Sequence, residues 1–311
     1  MKSAVATKKK KTKLGREKKK LLFYSLWIIL PLAHIAIFYF AVNFNSILMA
    51  FQKYEVIDGR GSYVWAGLQN FKTLFENFSA TSMYGTMVKN SVLGFLIPEL
   101  VTFIPSIITS YYVYKKLKFG KFFRKLLYLP SLLSVLALSV IQFYMLELGV
   151  PELASHFGHE MQGLLGNPNT AFGALVVLQI WFGFCKGIML YPATMSSIPD
   201  SALESARIDG CGLWGEFIHI ILPLIYPTIT VVFITDLAGV CRIDLNIFNM
   251  FGQYADMKFG TIGYFIYKET LTAGMSDYPY LASYGVFLTI ILVPLVLVIR
   301  HLMVRFGPKS D

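Results

Sequence analysis

A few charged and amide side chains lie within long apolar stretches of this sequence, where they could recognise a polar ligand. The set comprises Glu99, Gln142, Gln179, Asp236 and Arg242. Polar groups are costly in an apolar environment and tend to face cavities or solute pathways. Tyr144 and Trp181 each stand two positions from an amide. Since carboxylates and amides bind hydroxyl groups and aromatic rings stack on flat C–H faces, these seven residues are candidates for a hydroxyl-rich solute path.

Each candidate also has a structural interpretation. The charged residues could form pairs between helices, and the aromatic residues could pack against lipid or other helices. Glu99 follows Pro98 and precedes Pro105, so we expect the surrounding helix to be irregular, as cavity-lining membrane helices often are. Asp236 and Arg242 are six residues apart, and this spacing predicts that they lie on different faces of a helix.

The composition predicts the environment that must hold these side chains. Apolar residues make up 55% of the 311 residues, charged residues make up 15%, and mean hydropathy is +0.57. Soluble domains average about 25% charged residues. So much apolar surface cannot be hidden inside one or two soluble domains, and it excludes a disordered chain. The sequence therefore predicts an all-α polytopic membrane protein.

Six stretches are long and apolar enough to be transmembrane helices, since about 20 helical residues cross a bilayer core. The first, from Leu21 to Val42, contains no Asp, Glu, Lys or Arg. The predicted spans are 21–42, 90–114, 126–146, 170–191, 223–240 and 280–299. They form a membrane domain over residues 21–306, between a basic tail at 1–20 and a short tail at 307–311.

The positions of the basic residues predict the orientation. Ten of the 28 Lys and Arg residues lie in residues 1–20, six more lie in residues 115–125, and alternate loops carry few. Because an excess of Lys and Arg marks cytoplasmic loops, both termini and residues 192–222 should be cytoplasmic. The basic clusters adjoin apolar runs and leave no folded basic domain, so nucleic-acid binding is not expected.

The segment from Pro199 to Pro223, which we call the elbow, carries the most specific pattern. Ser201 and Glu204 have the spacing of a capping box, which predicts the start of a short helix. Gly210 can adopt the left-handed conformation that ends a helix, and a second short helix should then run to Pro223, where the fifth span begins. We expect the first helix to expose the small residues Ala202, Ser205 and Ala206. An ordinary capped connector would show the same local features.

The elbow resembles the EAA motif of permease subunits of binding-protein-dependent ABC importers, which reads Glu-Ala-Ala-x-x-Asp-Gly-Ala and continues with Phe, Ile, Leu-Pro and Pro. The matching residues are Glu204, Ala206, Asp209, Gly210, Phe217, Ile220, Leu222, Pro223 and Pro227, with Ser205 and Cys211 in place of Ala. The resemblance extends over most of the chain from Leu21, including Gly67–Phe71 and Gly120–Arg124, and favours carbohydrate permeases of the maltose type. The family's glycine-rich Thr-Gly-Gly-Gly-Pro is replaced by residues 246–252.

The resemblance implies the type I ABC importer permease architecture in a bacterial plasma (inner) membrane. It assigns contact with the ATPase to Ala202, Glu204, Ser205, Ala206, Asp209 and Gly210. The implied partners are a second permease, expected to be a similar but different chain that forms a heterodimer with this one, two copies of a cytoplasmic ATPase, an extracellular solute-binding protein, a sugar substrate and membrane lipid. Movement of the ATPase would then drive alternating access.

Other functions lack their motifs. No Gly-x-x-x-x-Gly-Lys-Ser/Thr loop is present, so ATP hydrolysis is expected from a separate subunit, and no catalytic residue or cofactor is expected. His156 and His159, near Glu152 and Glu160, suit a solvated loop better than a metal site. A self-contained secondary transporter remains the alternative, although we find no convincing inverted repeat. A membrane enzyme using Glu99 or Asp236 would need a paired catalytic group that the spacing does not provide.

Overall fold

The computed structural model describes residues 2–80 and 82–308, apart from the side chains of residues 2–16, 80, 186 and 189. It is dominated by helices, as predicted. The described elements before the elbow are α1 (Lys2–His34), α2 (Val42–Met49), β1 (Gln52–Ile57), β2 (Arg60–Trp65), α3 (Gln69–Ala80), α4 (Ser82–Tyr114), α5 (Gly120–Leu132), α6 (Val135–Tyr144), α7 (Val150–His156) and α8 (Pro168–Met195). From the elbow onward they are α9 (Asp200–Ile208), α10 (Leu213–Glu216), α11 (Leu222–Ala238), α12 (Ile247–Phe251), α13 (Ile262–Thr272) and α14 (Tyr278–Phe306).

Within the described residues, six helical runs are long and apolar enough to cross a membrane. They are Glu17–Met49, Ser82–Tyr114, Val135–His156, Pro168–Met195, Leu213–Ala238 and Tyr278–Phe306. Short π-helical segments join several helices within these runs, at Ile35–Ala41, Met145–Gly149 and Phe217–Ile221. The tail predicted at 307–311 extends past α14, and its last three residues lie outside the described part of the chain.

The third predicted span, at 126–146, is divided in the structure. Helix α5 ends at Leu132, and Leu133 is extended. Ser134 caps the next helix, where its side chain accepts a hydrogen bond from the Ala137 amide. This cap begins a new helix, so the long apolar run starts at Val135 rather than at 126.

The second predicted span is regular, contrary to expectation. Helix α4 continues through both Pro98 and Pro105 without ending. A proline removes one helical hydrogen bond, but neighbouring helices compensate for this loss in membrane proteins. The prolines therefore do not break the helix that carries Glu99.

The chain divides into two compact units. One comprises residues up to Lys72 together with Gly274–Val286. It contains the antiparallel hairpin β1–β2, which the prediction of an all-α protein did not include. The Asn70 amide donates hydrogen bonds to the carbonyls of Ala50 and Gln52, at 2.9 and 2.7 Å, and closes the base of the hairpin.

The other unit comprises Thr73–Ala273 and Phe287–Asp311 and is built around α4 and α8. A Cβ atom added to Gly183 would lie 2.6 Å from Thr102 Oγ1, and one at Gly187 would lie 3.2 Å from Ser106 Cβ. The Ser110 hydroxyl donates to the Gly187 carbonyl at 3.2 Å. Small residues allow helices to approach closely in membranes, where apolar side chains alone give little driving force.

Candidate functional site

The first helix of the elbow begins at a different residue from the one predicted. Helix α9 starts at Asp200, its N-cap is Pro199, and no side chain caps it. The N-cap needs extended backbone, which Pro199 supplies, so Ser201 falls inside the first turn. The Ser201 carbonyl accepts a hydrogen bond from the Ser205 hydroxyl at 2.9 Å. The predicted capping box of Ser201 and Glu204 is therefore wrong.

The end of α9 agrees with the sequence. Gly210 has φ +79°, in the left-handed region. The Gly210 amide donates to the Arg207 carbonyl at 3.1 Å, and the Cys211 amide donates to the Ala206 carbonyl at 2.9 Å. These two hydrogen bonds form a Schellman motif, which satisfies carbonyls at the helix end and fixes the direction of the following chain.

One face of α9 packs against the molecule and the other is exposed. Leu203 is 5% exposed and Ala206 is 6% exposed, because residues three apart share a helix face. Ala202 is half-buried, so the prediction that the small residues are exposed holds only for Ser205 among the three. The exposed face also contains Glu204, Asp209, Gly210 and Ile208, which is 85% exposed.

The predicted second short helix is not separate from the fifth span. Helix α10, the π-helical segment Phe217–Ile221 and α11 form one run from Leu213 to Ala238. Pro223 lies near the start of α11, directly after the π-helical turn, where the altered hydrogen-bond pattern accommodates a residue without an amide hydrogen. The elbow is thus joined directly to an apolar helix.

The sequence pattern does not predict that a charged side chain is buried beneath the elbow. The Glu216 side chain is only 3% exposed and pairs with the Lys115 ammonium from the end of α4. The sequence places Glu216 among four acids near Arg207, and nothing in the local pattern indicates a partner about 100 residues earlier. The available signal was an acidic residue immediately before a long apolar run, which needs a partner when it is buried.

A cavity of about 680 Å³ lies between residues of α4, α8 and α11. Four of the predicted solute-path residues line it, namely Glu99, Gln179, Asp236 and Arg242. Hydroxyl groups of Thr102, Ser106, Ser131, Tyr191 and Thr235 and the rings of Phe95, Phe103 and Phe182 complete much of the wall. The cavity combines charged, amide, hydroxyl and aromatic groups and is large enough for a small organic solute.

Three other predicted residues lie outside this cavity wall. Gln142 is 1% exposed, and its amide nitrogen and oxygen have no hydrogen-bond partner within the described part of the chain. It lies on α6, which packs against α12. Tyr144 and Trp181 lie on exposed surface. Sequence proximity to an amide therefore did not bring these two rings to the cavity.

Asp236 and Arg242 share the cavity, although their spacing predicted different helix faces. Helix α11 ends at Ala238, and Val240–Arg242 form a short 3₁₀ turn. The prediction assumed one continuous helix. Because the chain turns after Gly239, both side chains reach the same wall.

A second cavity, of about 250 Å³, adjoins the segment that replaces the family's glycine-rich sequence. It is lined by Gln179, Asp244 and Asn246 together with apolar residues. Leu245 and Asn246 have φ values of +54° and +59°, a conformation that glycine adopts without strain. Burial raises the pKa of Asp244, although hydrogen bonds from the backbone amides of Asn246, Asp244 and Phe248 act in the opposite direction.

The described residues contain no group of three or more His, Cys, Asp and Glu side chains that could hold a metal ion. His156 Nδ1 lies 3.9 Å from Glu152 Oε1, and both side chains are largely exposed.

Comparison with known proteins adds evidence from sequence and from fold. Residues 102–311 match the model of the family described as binding-protein-dependent transport system inner membrane component. The multiple sugar-binding transport system permease protein MsmF of Streptococcus mutans is 27% identical over 256 residues, covering 81% of this chain and 86% of the relative. The polygalacturonan/rhamnogalacturonan transport system permease protein YteP of Bacillus subtilis is 26% identical, covering 92% and 89%.

Solved structures share the fold. A chain of the bacterial alginate ABC transporter in complex with an alginate pentasaccharide-bound periplasmic protein superposes with a TM-score of 0.75 at 20% identity. The match covers 94% of this chain and 98% of that chain.

Proposed function

The chain belongs to the family of binding-protein-dependent transport system inner membrane components, and from this premise we propose its substrate class, its orientation and the roles of its residues. It is a multi-pass membrane permease of an ABC importer, with six helical runs able to cross the bilayer. It provides a path for the solute, and a separate ATPase subunit controls the opening of that path.

The proposed substrate is a sugar or oligosaccharide. Relatives across most of the chain are named as permeases for sugars, for polygalacturonan and rhamnogalacturonan, and for arabinooligosaccharides. The cavity lined by Glu99, Gln179, Asp236 and Arg242 offers both hydrogen-bond donors and acceptors to hydroxyl groups. The rings of Phe103 and Phe182 can contact the C–H faces of a sugar ring. We propose that this cavity forms part of the solute path.

The exposed face of α9 is the proposed contact with the ATPase. Glu204, Ser205, Asp209 and Gly210 are exposed around a short helix whose end is fixed by the Schellman motif. Ala206 is buried against the molecule itself and Ala202 is half-buried, so these two small residues support the exposed face from behind and the predicted contact at Ala206 is indirect. Because a conformational equilibrium shifts only through different binding to its two states, the ATPase must contact this face differently in its open and closed forms.

The remaining partners are proposed from the family. The permease pairs with a second permease, similar or identical, and works with two ATPase copies and an external solute-binding protein. The alternation of basic loops supports cytoplasmic termini and a cytoplasmic elbow in a bacterial plasma membrane. A self-contained secondary transporter would act without these partners, and the family match does not favour it.

Reconstitution tests the proposal, which is carried by the family match across residues 102–311. The permease pair is placed in vesicles with its co-expressed ATPase, and labelled oligosaccharides are offered on the outer face with the binding protein. Uptake should require ATP inside the vesicle and should stop when the ATPase is omitted. Uptake that persists without the ATPase would support the secondary transporter instead.

Crosslinking tests the proposed role of α9. After replacing Cys211 with Ala, so that no native thiol remains on the elbow, Ser205→Cys should crosslink to the ATPase. The matched control is Ser155→Cys, also exposed but on the opposite side of the predicted membrane domain. A crosslink from position 155 but not from position 205 would contradict both the contact and the orientation.

A further inference from the structure

The root of the elbow contains a buried charged cluster that joins three parts of the chain. Glu216 lies at the end of α10 and is 3% exposed, while Lys115 lies directly after α4 and is 10% exposed. Glu216 Oε1 pairs with the Lys115 ammonium and accepts a hydrogen bond from the Tyr111 hydroxyl at 3.4 Å. The end of the second span is therefore tied to the first turn of the fifth.

Lys115 is also enclosed by aromatic rings. Its ammonium lies 5.7 Å from the centre of the Tyr111 ring and 5.8 Å from that of Tyr114. The same Tyr111 hydroxyl lies 3.1 Å from the Leu213 carbonyl, so its single proton is shared between that carbonyl and Glu216 Oε1. The Tyr111 ring packs on Phe217, with ring centres 4.9 Å apart. Ionic, cation–π and apolar contacts thus hold the same two elements together.

A third element reaches the same carboxylate from the exposed helix. Arg207 lies on α9, and its Nε atom is 3.9 Å from Glu216 Oε2, at the edge of ion-pair distance. The Arg207 side chain is 61% exposed. Glu216 therefore faces a buried cation from the second span through one oxygen and an accessible cation from α9 through the other.

Energetics predict unequal strength in these two connections. Removing one partner of a buried ion pair is strongly destabilising, because it leaves an uncompensated charge in a poorly solvated place. An exposed ion pair contributes little and can break at small cost. When α9 moves, the pair of Glu216 with Lys115 should persist, whereas the contact with Arg207 can change.

We propose that Glu216 is a positioning residue that transmits movement of α9 to the second and fifth spans through Lys115 and Arg207. The inference rests on the proposed function of the elbow. The second span carries Glu99 and the run from Leu213 to Ala238 carries Asp236, and both residues line the solute cavity. Because the Glu216–Lys115 pair joins the ends of these two spans, its movement shifts two walls of the cavity together.

The test compares solute uptake with ATP hydrolysis in reconstituted vesicles. Glu216→Gln keeps the size of the side chain and removes its charge. We expect the assembled complex to retain ATP hydrolysis while uptake per ATP falls at least 10-fold. Glu160→Gln, which removes an exposed acid outside both the elbow and the cavity, serves as the control and should retain the wild-type ratio. Glu216→Gln with a wild-type ratio would overturn the proposal.

Two double variants separate positioning from folding. Exchange of the charges, Lys115→Glu with Glu216→Lys, should recover at least one third of the wild-type uptake per ATP. Lys115→Met with Glu216→Met replaces the pair with apolar side chains, a change that folded proteins often tolerate. We expect this variant to assemble and hydrolyse ATP with uptake still reduced at least 10-fold. Normal coupling in the Met double variant would overturn a role for the charges, even if Glu216→Gln fails to fold.

Wild-type measurements keep this inference separate from the proposed function. If the wild-type complex shows no ATP-dependent uptake, the proposed function fails. If the wild-type complex transports and Glu216→Gln transports equally well per ATP, only the positioning role of Glu216 fails.

Discussion

The elbow root and the cavity between α4, α8 and α11 both contain charged side chains, and the surroundings of these charges differ. At the elbow root, Glu216 is enclosed by Lys115, Tyr111 and Arg207, so the carboxylate connects neighbouring elements. In the cavity, Glu99, Asp236 and Arg242 border about 680 Å³ of space. The first arrangement suits mechanical connection, whereas the second leaves polar groups accessible to a solute.

The two arrangements match the two roles that we propose for charge in this apolar chain. A buried charge that holds helices together needs close partners, because burial removes the stabilisation that water would give it. A charge that recognises a solute needs space beside it and a rigid wall behind it. The close packing of α4 on α8 supplies such a wall, so substitutions in the wall, at the polar surface and in the elbow should have distinct effects.

The largest effect is expected on the free energy of unfolding, from a substitution in the packed wall between α4 and α8. Gly183→Val places side-chain atoms where a Cβ alone would lie 2.6 Å from Thr102 Oγ1. Overpacking of this kind should lower the free energy of unfolding by about 3 kcal/mol. The measurement is thermal unfolding of the purified permease in detergent.

Gly173→Val provides the matched control on the same helix, because an added Cβ there meets nothing within 4 Å. Its free energy of unfolding should change by less than about 0.5 kcal/mol. Equal losses in the two variants would show that close packing of α4 on α8 is not what supports the cavity wall.

A smaller effect is expected on the polar surface of the cavity. Asp236→Asn preserves size and removes the charge, so the affinity of the purified complex for its carbohydrate should fall about 10-fold, equivalent to about 1.4 kcal/mol. Calorimetric titration of the sugar into the detergent-purified complex measures this change.

Uptake per ATP should stay at its wild-type value in Asp236→Asn, in contrast to Glu216→Gln. A loss of coupling with unchanged sugar affinity would contradict the division of roles between the cavity and the elbow root.

The smallest effect is expected at the end of α9. Gly210→Ala forces a side chain into a left-handed conformation, with φ +79°, at a cost of about 1 kcal/mol. The amide of Cys211, which closes the Schellman motif, should exchange about 5-fold faster with solvent deuterium, since local opening follows this free energy.

Gly212→Ala is the control for the same loop. Gly212 has φ −75°, and neither glycine has an atom within 4 Å of an added Cβ. Amide exchange at Cys211 should remain at the wild-type rate. Faster exchange in both variants would mean that backbone conformation at Gly210 is not the cause.

Local signals in the sequence predicted a substantial part of this structure. Apolar length indicated six membrane-spanning runs, and the glycine at position 210 predicted where α9 ends. The start of α9 was misjudged because Pro199 caps it through backbone conformation, which the Ser201–Glu204 spacing cannot reveal. The third long apolar helical run begins at Val135 rather than at 126, because Ser134 begins a new helix inside a continuous apolar stretch.

The residues of the candidate site were likewise predicted only in part. Four of seven predicted solute-path residues share the cavity, since polar groups within apolar helices generally avoid lipid. Gln142, Tyr144 and Trp181 do not line it, because which face of a helix packs inward depends on its neighbours. Asp236 and Arg242 meet at one wall because the helix ends between them, which spacing alone did not predict.

The sequence by itself determined the membrane environment, the family pattern of the elbow and the stop at Gly210, because each depends on composition or on residues within a few positions of one another. Only the tertiary structure decided which face of α9 is buried, which polar groups border the cavity and that Glu216 meets Lys115. Those outcomes depend on contacts between residues far apart in the sequence, such as Tyr111 and Glu216, which are 105 positions apart, and no local pattern specifies them.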